Sequence, residues 1–84
     1  MKTIVENDSN LSKYLFEDDK VVDMQAGQIN VGDPASLDFI IGDLNSENST
    51  LYENVTNAPA DWTGNKYTFD GATWTQDSNW VDPE

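Results

Sequence analysis

Asp43, Asn45, Glu47 and Ser49 put an oxygen-bearing side chain at every second position, the spacing with which a calcium-binding loop begins. The match then fails. Asn48 stands at the sixth place, where the loop needs glycine, and Asn54 at the twelfth, where it needs a bidentate glutamate. The stretch reads as a solvated polar turn, and no metal site is expected. Catalytic chemistry is equally short of material. The chain has no cysteine and no histidine, which removes the thiolate nucleophile and the commonest general base. Its serines have no partner to activate them, and no glycine-rich phosphate loop follows a strand. Acid pairs such as Asp18-Asp19 arise by chance when sixteen of 84 residues are acidic. The expectation is a protein without catalytic residues, without a cofactor and without enzymatic activity.

The aromatic residues are the more informative set. Three Trp, three Tyr and three Phe are present, and Trp62, Tyr67, Phe69, Trp74 and Trp80 crowd the final third. Tyr67, Phe69 and Trp74 are explained by a hairpin described below. Trp62 and Trp80 are left over, in loops beside Asp61, Asn65, Asp77 and Asn79. Tryptophan beside Asp or Asn suits a sugar-stacking platform, a lid over the core, or a protein–protein anchor. Trp62, Trp80, Asp61 and Asn65 are therefore the candidate binding residues.

Four lysines, no arginine and sixteen acids leave a net charge of −12. Phosphate backbones and anionic lipid are bound through clustered Lys and Arg, so neither nucleic acid nor a membrane is an expected partner. No apolar run at the start of the sequence is long enough for a signal peptide or a spanning helix. A soluble, non-exported protein is the expectation, and the Asn-x-Ser/Thr triplets at Asn7, Asn10, Asn48 and Asn54 follow from a composition rich in those residues.

The elements that position these residues read as strands. Apolar residues fall in short β-branched and aromatic runs, with turn residues about every eight to twelve positions. In KYTFDGATWTQ (66–76), an Asp70-Gly71 turn of type I′ predicts Phe69 opposite Ala72, Thr68 opposite Thr73 and Tyr67 opposite Trp74. Alternation then gathers Tyr67, Phe69, Ala72 and Trp74 on one face. A second hairpin is expected over Tyr14–Asp23, turning at Asp18-Asp19, with a short helix or helical turn from Ser9 as the competing reading. Further strands are expected at Gln28–Val31, Leu37–Ile41 and about Thr50–Thr56. Gly32-Asp33-Pro34 should turn, and a single helical turn is expected over Asp61-Trp62. These fit one all-β domain over 1–84, with 77–84 a loosely held tail. A small bent barrel of the Sm or SH3 sort, with five to seven short antiparallel strands, is the favoured architecture, and a compact two-sheet sandwich is the alternative.

The phrases SKYLFEDD (12–19), VGDPA (31–35), FIIGDLNSENSTLYENVT (39–56) and APADWTGNKYTFDGATWTQ (58–76) resemble short uncharacterised proteins encoded by tailed phages of marine cyanobacteria and by marine metagenomes. The resemblance spans most of the chain, and its C-terminal phrase is the most specific part. It brings no activity and no binding residue with it. It implies a viral setting, in the host cytoplasm or the virion, and a barrel of the Sm or SH3 type. The function expected is that of a non-enzymatic accessory or virion-associated protein acting through a protein partner or self-association, with a homo-oligomer favoured. A glycan- or cell-surface-binding module using its tryptophans is the alternative.

Overall fold

The computed structural model describes residues 1–81. Eight strands follow one another: β1 (Lys2–Glu6), β2 (Ser12–Phe16), β3 (Val22–Met24), β4 (Ile29–Asp33), β5 (Ser36–Ile41), β6 (Ser49–Tyr52), β7 (Tyr67–Phe69) and β8 (Trp74–Gln76). No helix is present among the described residues. Every pairing is antiparallel. The strands form three small sheets, ordered β2-β1-β6, β3-β4-β5 and β7-β8. The all-β reading therefore holds, but no closed barrel forms among the described residues, and the strands number eight rather than five to seven. Strands of three to six residues are short for the continuous tilt and stagger that barrel closure demands. The chain stacks layers instead.

β1 is the strand between those layers. Its Thr3-Ile4-Val5 core is β-branched throughout, which favours an extended backbone. It pairs with β2 on one edge and β6 on the other, and all three of these side chains are buried. Ile4 faces the second sheet, in a core with Ile29, Val31, Ile41 and Leu44 that Tyr14, Phe16, Val22, Met24 and Leu51 complete. Val5 faces the other way and packs with Val55 and Phe69, against which Tyr52, Ala58 and Trp74 close. The first two sheets thus pack face to face, as in the sandwich alternative, and the β7–β8 hairpin covers the far side.

A β-bulge places one further polar residue in this interior. Ile4 pairs with Tyr14 but Val5 pairs with Ser12, so Lys13 is the extra residue. The bulge turns Ser12 onto the Thr3 and Val5 face, where Ser12 and Thr3 are both buried.

Several local expectations are corrected by long-range pairing. The Tyr14–Asp23 hairpin does not form. β2 pairs with β1 and β3 pairs with β4, so Glu17–Lys20 is a turn that carries the chain from one sheet to the next, closed by the Lys20 N–H on the Glu17 carbonyl at 3.1 Å. Nor does a helix start at Ser9, whose hydroxyl donates to Glu6 at 2.8 Å in the turn between β1 and β2. Pro59 opens a single i→i+3 turn over Ala60-Asp61, closed from Trp62 N–H to the Pro59 carbonyl at 3.2 Å. The sixth strand ends at Tyr52 rather than near Thr56.

The 66–76 hairpin forms with a different register. Phe69 pairs with Trp74, Thr68 with Thr75 and Tyr67 with Gln76. A type I′ turn at Asp70-Gly71 requires positive φ at both residues, and only Gly71 has it, at +101°. Asp70 instead accepts the N–H groups of Ala72 and Thr73 on its carboxylate at 2.9 and 2.7 Å, which pulls both residues into the loop. The shift moves each partner by two residues, and alternation has period two. Tyr67, Phe69 and Trp74 therefore still share a face, while Ala72 leaves it. Phe69 stacks on Trp74 at 4.3 Å between ring centroids, and Tyr67 meets Trp74 edge-on at 6.3 Å.

β4 and β5 make a tight hairpin in which Asp33 faces Ser36 across Pro34-Ala35. The turn thus lies one residue later than Gly32-Asp33-Pro34, and Asp33 holds it by accepting the Ala35 N–H at 2.8 Å. Gly32 stays in the strand at φ +112°, where an added Cβ would lie 2.6 Å from the Asp38 backbone nitrogen. Only glycine fits both the angle and the space. Asp38 is the bulged residue here, since Val31 pairs with Phe39 but Gly32 with Leu37.

The tail expected at 77–84 lies outside the described residues from 82 onward. At its start it is tied down, with Asp77 N–H on the Lys66 carbonyl at 2.8 Å.

Ile4 is fully buried between two sheets and Ile40 is 53% exposed. Ile4→Ala should lower unfolding free energy in urea by about 2–5 kcal/mol, and Ile40→Ala by less than about 1 kcal/mol. Equal losses for the two would contradict this packing.

Candidate functional site

The four residues singled out in the sequence divide between two places. Asp61, Trp62 and Asn65 lie on the loop between β6 and β7, and that loop folds over β2. Trp62 is half-buried, and its indole N–H donates inward to Ser12 Oγ at 2.9 Å. Thr3 Oγ1 donates to the Tyr14 carbonyl at 2.8 Å and lies 2.6 Å from Ser12 Oγ. A hydroxyl carries one proton, so Thr3 spends its own on Tyr14 and Ser12 must donate to Thr3. The result is a one-way chain from Trp62 through Ser12 and Thr3 to a backbone oxygen. Such chains are strong when complete and costly when broken. Asn65 holds the loop from its other end. It adopts a left-handed φ of +70°, and its N–H bonds to the Ser12 carbonyl at 3.0 Å. These contacts make Trp62 a lid on the interior.

Asp61 is exposed and works on the loop surface. Its carboxylate accepts the Tyr67 hydroxyl at 2.7 Å and Lys66 Nζ at 2.9 Å. The Tyr67 hydrogen bond, then that of Lys66, holds the Asp61 carboxyl below its ordinary value of 3.8. The same bond raises the Tyr67 phenol above 10.0, because ionisation would remove the donor and set two anions together. Asp70 is also lowered, by the backbone N–H groups of Thr73 and Ala72 in its turn. Trp80 sits elsewhere, half-buried on the turn after β8, with its N–H on the Asp77 carbonyl at 3.0 Å.

The calcium-like stretch is occupied by its own backbone. Asn45 Oδ1 accepts the N–H groups of Glu47 and Asn48 at 2.9 and 3.0 Å, and Asn48 Oδ1 accepts that of Asn45 at 2.8 Å. No three His, Cys, Asp or Glu side chains are placed to hold a metal ion among the described residues.

The second sheet supplies a surface that the sequence reading missed. The strand expected at Leu37–Ile41 forms as β5, and five of its six residues are exposed. Leu37, Phe39 and Ile40 are 37%, 40% and 53% exposed, and Val21 beside them is 45% exposed. The register explains their placement. Val22, Val31 and Phe39 are paired across the sheet, as are Met24, Ile29 and Ile41, and these side chains look toward β1. Leu37 and Ile40 pair with Gly32 and Asn30, so they look outward. Val21 joins them, its carbonyl accepting the Gly32 N–H at 2.8 Å. Gly32 has no side chain to stand between Val21 and Leu37. Phe39, at the rim, meets Tyr14 at 6.2 Å and Phe16 at 6.1 Å between centroids.

Beside this apolar face lies an open concavity of about 370 Å³ lined by Asp19, Lys20, Val21, Gly32, Asp33, Ser36 and Asp38. Three of those are carboxylates, and the one cation, Lys20, already pairs with Asp38. The arrangement offers contact and charge, and no nucleophile with a base. In sequence, Leu37, Phe39 and Ile41 alternate with Asp38, the pattern of a strand with one polar face. Ile40, which breaks that alternation, was the clue to an apolar outer face.

No family model matches the chain, and neither a curated protein nor a solved structure matches it.

Trp62→Phe keeps a ring but leaves Ser12 without its donor, and should cost about 1–3 kcal/mol in urea unfolding. An unchanged midpoint would show that the inward bond is not made. In carboxyl NMR titrations, Asp61 and Asp70 should show midpoints below 3.8, and Tyr67→Phe should bring Asp61 back up. A lowered folded-state value means that Asp61 stabilises the fold above its unfolded-state pKa and that this is lost as pH falls through the folded value. Tyr67→Phe should therefore flatten the acid limb of the stability profile.

Proposed function

We propose that this chain is a non-enzymatic, phage-encoded accessory or virion-associated protein that acts by associating with protein, through the outer face and free edge of the second sheet. The observation that carries the reading is the apolar exposure of β5, at Leu37, Phe39 and Ile40. Strands at a sheet edge are normally short, charged or covered, because an open apolar edge invites pairing. β5 is the longest strand of the fold and carries one charged residue, Asp38. The viral setting rests on the resemblance in sequence. The same face serves homotypic association, as expected from the sequence, and association with another protein. The glycan alternative draws no support from Trp62, whose N–H is turned into the fold.

Mass spectrometry of purified phage particles, from a phage carrying this gene, tests the reading. The wild-type chain should co-purify with the particles or with a cross-linked intracellular complex. The Leu37→Lys/Ile40→Lys double variant, which alters only exposed positions, should be lost from both while keeping its native unfolding midpoint. A variant that still co-purifies would remove this face from the function.

A further inference from the structure

The second sheet ends at β5: its order is β3-β4-β5, and no strand lies beyond β5 among the described residues. The other edges are better guarded. β2 is bridged to the hairpin through Leu11 and Thr68, and the chain beyond β3 is tied by Ser46 N–H to the Gln25 carbonyl at 2.8 Å. β6 and β8 are only four and three residues long. β5 offers six residues of backbone, with apolar side chains on both its faces.

We propose that the free edge of β5 receives an extended segment of a different protein as a fourth strand of the second sheet. The segment carries a short run of apolar residues ending in lysines or arginines. The inference rests on the association reading above and names the chemistry of the partner. The apolar requirement comes from Leu37 and Ile40 on the outer face and Phe39 on the inner rim. Side chains of an added strand alternate between those two faces, so both sets meet apolar ground. The basic requirement comes from the end of β5 nearest the Pro34-Ala35 turn. There Asp19, Asp33 and Asp38 share the concavity, and Lys20 is engaged with Asp38. Strand addition of this kind takes its affinity from main-chain hydrogen bonds and its specificity from alternate side chains.

Charge decides between this partner and a second copy. A copy joined edge to edge would bring its own Asp33 and Asp38 to the same seam, and each chain carries −12. Like charges across an interface oppose association, and complementary ones steer it. A basic strand satisfies the edge and the field together.

The test uses the full chain, labelled with ¹⁵N, and a short synthetic peptide in which alternating valine and isoleucine end in two lysines. Amide shifts and slowed hydrogen exchange should be confined to residues 32–41 and their neighbours in β4. Methylating alternate backbone nitrogens of the peptide keeps its charge and removes its strand pairing. That change should weaken binding at least about tenfold, as should replacing the lysines with glutamates. Ile40→Lys should do the same without altering the fold. Binding that spreads over the acidic surface and ignores N-methylation would overturn the proposal as mere charge attraction. Protection of β5 that grows with protein concentration without peptide, together with a dimer mass in light scattering, would overturn it in favour of self-pairing. Loss of this peptide binding while the Leu37/Ile40 face still governs co-purification would sink the strand model alone and leave the association reading standing.

Discussion

The structure depends on one strand being buried on both sides. β1 has neighbours on each edge, and its side chains alternate between two interiors. Ile4 supplies one and Thr3 and Val5 the other. A chain of 84 residues can hide only part of its surface on folding. Layering about a shared central strand lets the same few β-branched residues serve two cores. The arrangement explains why the fold does without a closed barrel, since the middle layer already covers the inner faces of both outer ones.

The second interior is part apolar and part polar. Val5, Val55 and Phe69 supply the apolar part. The hydrogen-bonded line from Trp62 to the Tyr14 carbonyl supplies the polar part, and no buried side-chain polar atom lacks a partner among the described residues. Because buried polar groups are costly when unpaired, this line fixes where the 53–66 loop must sit, as well as holding it there. The aromatic residues divide along the same boundary. Tyr52, Tyr67, Phe69 and Trp74 pack at the hairpin side, and Tyr14, Phe16 and Phe39 gather at the rim between the two larger sheets.

What the sequence showed and what it hid follow from distance along the chain. Short β-branched runs separated by turns were enough for the all-β class. The shared face of Tyr67, Phe69 and Trp74 was legible because a two-residue register change preserves alternation. The register was not, because the Asp70 carboxylate outweighed the dipeptide preference for a type I′ turn. The Tyr14–Asp23 hairpin failed because β1, paired with β6 on its other edge, offered β2 a better-buried partner than β3 could. Trp62 stood out as unexplained, but its partner Ser12 lies fifty residues away and depends on a bulge that no local pattern announces. The exposure of β5 was hidden for a simpler reason: an apolar run looks the same in sequence whether its cover is supplied by this chain or by another.

The central strand lies far along the chain from the partners that enclose it. β1 must wait for β6 and for Phe69 of β7 before either of its faces is enclosed. Loop closure over such separations slows folding, so the two interiors around β1 close later than the local hairpins of the second sheet. A net charge of −12 opposes contact between copies while β1 is still uncovered.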